Sequence, residues 1–300
     1  MPAPAEPPAP SALVELRVLD GANLYFPRPA VKLTLDPESS LQKWILERNG
    51  FPDVAAAAAH LERRSRILDA GCGNGRVTAL LATLAPHASV TGADLVDLAP
   101  ARANTAAFGN VTLANADLRQ PLARLGEFDF IYCQEVLHHT GDAEAAFRHL
   151  AALLVPGGEI AIYVYRKKAP AREYMDEYVR GQIAALGYDD AMEVCRQIAD
   201  LGRRLSAVTE EIELPDIPVL GLEKGTYTPQ RVLYHFFLKC YWNPDLLAED
   251  NAVVNYDWYQ PQDSSKHTLE EVLAWFSRGN LEVVWRHLDP YGITVRGVRK

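Results

Sequence analysis

The stretch that most restricts what this chain can become is Ile67-Leu68-Asp69-Ala70-Gly71-Cys72-Gly73-Asn74-Gly75. A short apolar run, read as a buried strand, breaks into three glycines at alternate positions. Val77, Leu80, Leu81 and Leu84 then fall at helical spacing. Strand, glycine-rich turn and helix in that order form the opening unit of a nucleotide-binding α/β sheet. A turn without Cβ atoms lets backbone approach a ligand closely and take dihedrals that other residues avoid.

Two ligand classes use such a turn. The dinucleotide fingerprint G-x-G-x-x-G places its third glycine where helix packs on strand, and here Arg76 occupies that place. The order Asp69, Gly71, Gly73, Gly75 instead resembles motif I of class I S-adenosylmethionine-dependent methyltransferases.

The segments downstream keep the same order. Alternation of strand and helix from Ser65 argues for a parallel sheet, with strands expected at 88–93, 111–114, 128–133 and 159–165. In such a sheet ligands lie beyond the carboxyl ends of the strands. Asp69 and Gly71, Asp94, Asp117, and 134–139 all sit at such ends. Asp94 follows Gly75 by 19 residues, the placement of a carboxylate that accepts both ribose hydroxyls. The run 128–140, Phe-Asp-Phe-Ile-Tyr-Cys-Gln-Glu-Val-Leu-His-His-Thr, followed by Pro156-Gly157-Gly158, resembles the strand-four motif of small-molecule members of that family. The resemblance covers 66–166 well and 268–300 loosely.

What the resemblance implies is a seven-stranded, mostly parallel, Rossmann-like α/β sheet with a helical lid, binding S-adenosyl-L-methionine and releasing S-adenosyl-L-homocysteine. Asp69, Gly71, Gly73, Gly75, Asp94, Leu95, Asp117, Leu118 and Gln134 would hold the cofactor. His138 and His139 are the candidate bases, since imidazole titrates near neutral pH. The adjacent pair is poorly placed to ligate one metal, so no metal is expected.

Between 166 and 267 the alternation stops. Helical patterns near 172–186, 191–208 and 230–241 are separated by Pro- and aromatic-rich loops, and no internal repeat is evident. Asp257-Trp258-Tyr259-Gln260-Pro261 with His267-Thr268 resembles an element of bacterial methyltransferases that carry a helical lid. Tyr163, Tyr165, Tyr256, Trp258 and His267 are therefore expected to line the acceptor pocket. Capping boxes are expected at Ser39-x-x-Gln42 and Thr268-x-x-Glu271, the second opening the helix that returns to the core before two final strands. The division read from this is 1–40 as a tail and segment, 41–165 with 268–300 as the core, and 166–267 as the lid. Leu13–Leu19 reads as a strand. The turn-rich aromatic stretch after it resembles the amino-terminal segment of cyanophycin synthetases, and no function is carried over from it.

A net charge of −9 with no basic run disfavours nucleic acid as a partner. No apolar run is long enough to span a bilayer, and the Pro- and Ala-rich start lacks the features of a signal peptide. Cys72, Cys133, Cys195 and Cys240 have no paired spacing and read as free thiols in a cytoplasmic chain. The expected acceptor is a small molecule, methylated at O, N or C, with a homodimer through the insert as a further expectation. Rival readings are a methyltransferase acting on a protein or peptide side chain and a non-catalytic cofactor-binding protein.

Overall fold

Strand β1 (Arg66–Ala70) lies in the middle of a seven-stranded sheet. The structure is a computed structural model that describes residues 34–261 and 263–300. The expected strand at Leu13–Leu19 and the aromatic stretch after it lie outside the described residues.

Helices α1 (Ser40–Arg48) and α2 (Val54–Leu61) precede β1. Ser39 caps α1 by accepting from Leu41 N, and α1 ends at Asn49-Gly50, where Gly50 takes φ 79°. The reciprocal half of the expected capping box is not made, because Gln42 Nε2 donates to Thr34 O instead. After β1 come α3 (Arg76–Leu84), β2 (Ser89–Asp94), α4 (Ala99–Thr105), β3 (Val111–Asn115), β4 (Phe128–Gln134), α5 (Ala143–Ala151) and β5 (Leu154–Tyr165). All five strands run parallel, in the order β3-β2-β1-β4-β5. The register of β1 on β4 is pinned by Asp129, whose carboxylate accepts from Ser65 N, Ser65 Oγ and Arg66 N. Residues such as Ile67, Leu68, Ile131 and Ile160 are fully buried because helices cover both faces, as a parallel sheet requires. The expected turn at Pro156-Gly157-Gly158 lies inside β5, where the pairing with β4 shifts register between Phe128 and Phe130.

The insert follows: α6 (Pro170–Ile183), α7 (Tyr188–Ser206), a small hairpin of β6 (Ile212–Leu214) and β7 (Gly225–Tyr227), α8 (Pro229–Phe236) and α9 (Ala248–Tyr259). Helix α8 stops at Phe236, short of the expected 241. The larger departure is α9, which occupies what the sequence presents as loop. Its apolar period is hidden because Asn251 and Asn255 are fully buried. Both bind the strand-like segment beside the helix rather than solvent. Asn255 accepts from Tyr241 N and donates to Tyr241 O, and Asn251 does the same with Asn243. Side-chain amides thus substitute for a ladder, and two positions that read as polar surface are interior.

The core resumes with α10 (Leu269–Arg278), β8 (Leu281–Leu288) and β9 (Gly292–Arg299). Here the full capping box forms between Thr268 and Glu271. Strand β9 enters between β5 and β8, antiparallel to both, completing the order β3-β2-β1-β4-β5-β9-β8. The mostly parallel, Rossmann-like sheet expected from the sequence is therefore present. Insert and sheet meet through Tyr163 and Tyr165 at the carboxyl end of β5, which share a buried cluster with Ile183, Met192, Val253 and Trp258.

Candidate active site

The glycine turn is built as its spacing demands. Gly71, Gly73 and Gly75 all have positive φ, at 81°, 52° and 82°. The turn is joined to β2 through Ala93 O, which accepts from Gly71 N at 2.7 Å and Cys72 N at 3.1 Å. Asp94, at the end of β2, is 5% exposed. Its carboxylate accepts from Gly73 N, Leu95 N and Val96 N at 2.7, 2.7 and 3.2 Å. Burial raises its pKa, and these backbone bonds partly offset that. Asp94 therefore already shapes the turn, with one lone-pair direction of four left for a ligand.

Asp69 is 2% exposed and accepts from Thr78 Oγ1 at 2.6 Å. Burial pushes its pKa up to about 7, against the opposing pull of Thr78 and Arg76. The folded state therefore holds a proton that the unfolded chain releases near pH 3.8. Stability is largest below that value and falls as pH rises towards 7, by up to about 1.4 kcal/mol per pH unit for one such group. Asp69→Asn should reduce the slope of unfolding free energy between pH 4 and 7, measured by urea denaturation. An unchanged slope would mean that Asp69 ionises normally.

At the carboxyl end of β4 a chain of hydrogen bonds fixes one amide. Asn49 Nδ2 donates to Tyr132 Oη at 3.1 Å, and Tyr132 donates to Gln134 Oε1 at 2.8 Å. Gln134 Nε2 is left buried without a partner. Arg48, next to Asn49, is 2% exposed. One of its nitrogens, Nη2, meets Asp289 at 2.5 Å. Its guanidinium carbon lies 4.0 Å from the centre of the Trp44 ring and 4.4 Å from that of Tyr163. Nε and Nη1 of Arg48 also lack partners. Buried donors without acceptors are uncommon, and each calls for a partner such as a water, an ion or a ligand. Beside them Glu135 takes φ 60°, a conformation that bulky residues avoid, and its carboxylate pairs with Arg76 at 2.9 Å. Arg48, Asn49 and Trp44 were not legible as site residues, since α1 is remote in sequence from the glycine turn and carries no motif.

The two histidines sit on the short turn Leu137–His139. His138 is fully buried, with neither ring nitrogen partnered. Its ring stacks on Tyr165 at 3.6 Å and meets His139 and Tyr163 edge-on. Burial, followed by the charges of His139, His267 and Lys168, pushes its pKa well below the usual imidazole value. His139 binds Asp263 O through Nδ1 at 2.8 Å, and burial lowers it to about 4. Both are neutral at physiological pH.

Tyr165 lies 4.7 Å from Trp258, so His138, His139, Tyr163, Tyr165 and Trp258 make one aromatic wall. Trp258 is 5% exposed, with Nε1 donating to Asp176 at 2.9 Å. Tyr256 belongs to the same buried cluster as Tyr163, Tyr165 and Trp258, and is edge-on to Tyr188 at 5.5 Å. His267 contacts Trp275 at 4.7 Å and Ser265 Oγ at 2.9 Å. Beyond the end of β3, Asp117 is held by Arg119 at 2.9 Å, which keeps its carboxyl below the usual range, and Leu118 is buried beside it.

Residues 41–196 match a protein family described as a methyltransferase domain. Among characterised relatives, the 27-O-demethylrifamycin SV methyltransferase of Amycolatopsis mediterranei is 33% identical over 115 residues, covering 37% of this chain and 42% of that protein. The ubiquinone biosynthesis O-methyltransferase of Xanthomonas oryzae pv. oryzae is 37% identical over 103 residues, covering 32% and 41%. The chain thus spans less than half the length of these relatives. Among solved structures, PKMT2 from Rickettsia typhi in complex with AdoHcy superimposes with a TM-score of 0.51 at 12% identity, covering 79% of this chain and 50% of that one. That likeness is one of fold.

Proposed function

We propose, from the premise that this chain belongs to the methyltransferase-domain family, that it transfers a methyl group from S-adenosyl-L-methionine to an oxygen, nitrogen or carbon atom of a small, natural-product-like molecule. One observation carries the reading: next to a left-handed glycine turn, Gln134 Nε2 and Arg48 Nε and Nη1 are buried donors with no acceptor. The amino-acid end of the cofactor, with its carboxylate, matches that donor set. The cofactor supplies a methyl group already activated by a sulfonium charge. The protein is left to position the acceptor, exclude water and manage one proton.

In this reading Gly71, Gly73 and Gly75 give the cofactor a bare backbone floor. Asp94 and Leu95 meet its ribose, Asp117 and Leu118 its adenine, and Asp69 supports the turn from below. Tyr132 and Asn49 hold the Gln134 amide with its N–H groups towards the ligand. His138, neutral and unpartnered, offers a ring nitrogen to an acceptor proton, with His139 behind it. Tyr163, Tyr165 and Trp258 shield the reacting atoms, and Tyr256 and His267 belong to the outer acceptor pocket. The insert 166–267, which follows the carboxyl end of β5, acts as the lid in this reading.

The chain carries a net charge of −9 and four buried free cysteines, which supports a small-molecule partner rather than nucleic acid and a reducing cytoplasmic setting. No helix among the described residues is long and apolar enough to cross a membrane. Tyr174 and Tyr178, 75% and 57% exposed on α6, are the face through which the insert would pair two copies.

The proposal is tested by turnover: the protein incubated with S-adenosyl-L-methionine and a panel of hydroxylated and amino acceptors, with S-adenosyl-L-homocysteine as readout. Product formation with no member of a broad panel would leave the non-catalytic reading standing. A second test concerns affinity. Asp94→Ala removes a charged acceptor worth about 1.5–3 kcal/mol per hydrogen bond and frees the turn it holds. Calorimetry should show S-adenosyl-L-homocysteine binding weakened at least about tenfold. Unchanged affinity would remove Asp94 from the site.

A further inference from the structure

Beside the crevice, across the turn Asp289-Pro290-Tyr291, is a second cavity of about 290 Å³. The turn serves both sides. The Asp289 carboxylate accepts from Arg48, while its carbonyl accepts from Arg166 Nη1 at 3.4 Å. The carbonyls of Pro290 and Tyr291 accept from Lys168 Nζ at 2.6 and 2.8 Å. A ligand in this cavity would therefore lie one turn of chain away from the proposed cofactor.

Its lining has two parts. One is an aromatic wall, with Tyr227 edge-on to Phe236 at 5.4 Å and to His235 at 6.2 Å. The other is the basic run that leaves β5. Arg166 is paired with Glu223 at 2.5 Å, and Lys167 with Glu271 at 3.6 Å. Lys168 has only the two carbonyls; among the described residues no carboxylate lies within ion-pair distance of it. The other lining acid, Asp216, is exposed on the rim, where water screens it. Burial, then the repulsion of Arg172 and Arg166, brings Lys168 down to about 7 against the opposing pull of Asp289 and Glu173. Burial, then Arg231, Arg172 and Lys168, brings His235 down to about 4. In a chain of net charge −9 the cavity gathers three basic side chains, Arg166, Lys167 and Lys168, of which Lys168 is half-buried and has no carboxylate at ion-pair distance among the described residues.

We propose that this cavity binds an aromatic carboxylate, and, resting on the methyltransferase reading, that this is the anionic end of the acceptor. The rings at Tyr227, His235 and Phe236 receive a flat apolar body. A carboxylate placed beside Lys168 would favour its protonated form, whose Nζ has a third N–H to donate. The volume suits a single substituted ring.

The experiment is a calorimetric comparison of benzoate and benzyl alcohol, which share a ring and differ in charge. The full chain should bind benzoate at least about tenfold more tightly than benzyl alcohol, with or without saturating S-adenosyl-L-homocysteine. Lys168→Met keeps the aliphatic stem and should lose that preference. Lys168→Arg should keep it, and both variants should bind S-adenosyl-L-homocysteine as the native chain does. Equal affinity for the two probes, a preference that survives Lys168→Met, or displacement of benzoate by equimolar inorganic phosphate would overturn the proposal. So would mutual exclusion of benzoate and S-adenosyl-L-homocysteine, which would place benzoate in the crevice. The two readings fail separately. Benzoate preference without S-adenosyl-L-homocysteine binding keeps the cavity and sinks the methyltransferase reading. Binding of S-adenosyl-L-homocysteine without benzoate preference sinks the cavity proposal alone.

Discussion

Gly71→Ala should abolish S-adenosyl-L-homocysteine binding, by at least about a hundredfold, and lower the unfolding free energy by roughly 2–5 kcal/mol. Two costs add. Gly71 sits at φ 81°, where an L residue is disfavoured by about 1–2 kcal/mol. The new Cβ would also meet three atoms of the Val136 side chain at 2.8 Å and closer, an overpacking that costs about 1–3 kcal/mol. Val136 lies between Glu135 and the histidine turn, so pushing it moves Gln134 and His138 together. The loss of binding thus exceeds what the stability change alone would give. Gly109→Ala is the control: its Cβ would meet nothing within 4 Å, and stability and binding should stay as they are. Normal binding by Gly71→Ala would mean that the glycine turn is only structural.

Asp176→Ala should unfold the insert while the sheet keeps its cofactor crevice. Asp176 is fully buried and is the acceptor around which the insert is built. It takes Arg172 Nε at 2.5 Å, Trp258 Nε1 at 2.9 Å, Tyr259 Oη at 3.1 Å and Lys239 N at 3.2 Å. Removing it leaves the Arg172 guanidinium, 2% exposed, without its counter-charge, a loss of about 3–5 kcal/mol. Trp258 Nε1 and Lys239 N lose their acceptor with it, while Tyr259 Oη keeps Lys239 O at 2.8 Å. Limited proteolysis should then cut within 166–267, while S-adenosyl-L-homocysteine affinity stays within about threefold, because the proposed contacts come from α1 and from the carboxyl ends of β1, β2, β3 and β4. Protease resistance equal to the native chain would contradict the role given to Asp176. Joint loss of binding would show that insert and sheet fold as one cooperative unit.

The features legible in the sequence were those whose physical demand is local. A left-handed turn needs glycine where it turns, so Gly71, Gly73 and Gly75 could be placed without knowing their surroundings. Thr268 and Glu271 form the capping box that their spacing of three residues announces. Ser39 and Gln42 have the same pattern, yet Gln42 bonds Thr34 O, a partner that the four-residue motif does not contain. Helix α9 was hidden because Asn251 and Asn255 are buried to satisfy the backbone of Tyr241 and Asn243, and a hydrophobic period cannot register a buried amide. The Arg48, Asn49, Tyr132 and Gln134 constellation joins α1 to β4 across more than 80 residues and exists only in the folded chain. Strand ends were legible as a crevice. Which donors in it remain unpaired was not.

The account depends most on the crevice being a cofactor site, and calorimetric titration of the native chain with S-adenosyl-L-homocysteine tests that most directly. It should show one site per chain, with affinity falling at least about tenfold in Gln134→Ala, whose orphaned Nε2 would be gone. Absence of binding, or binding indifferent to Gln134, would contradict it.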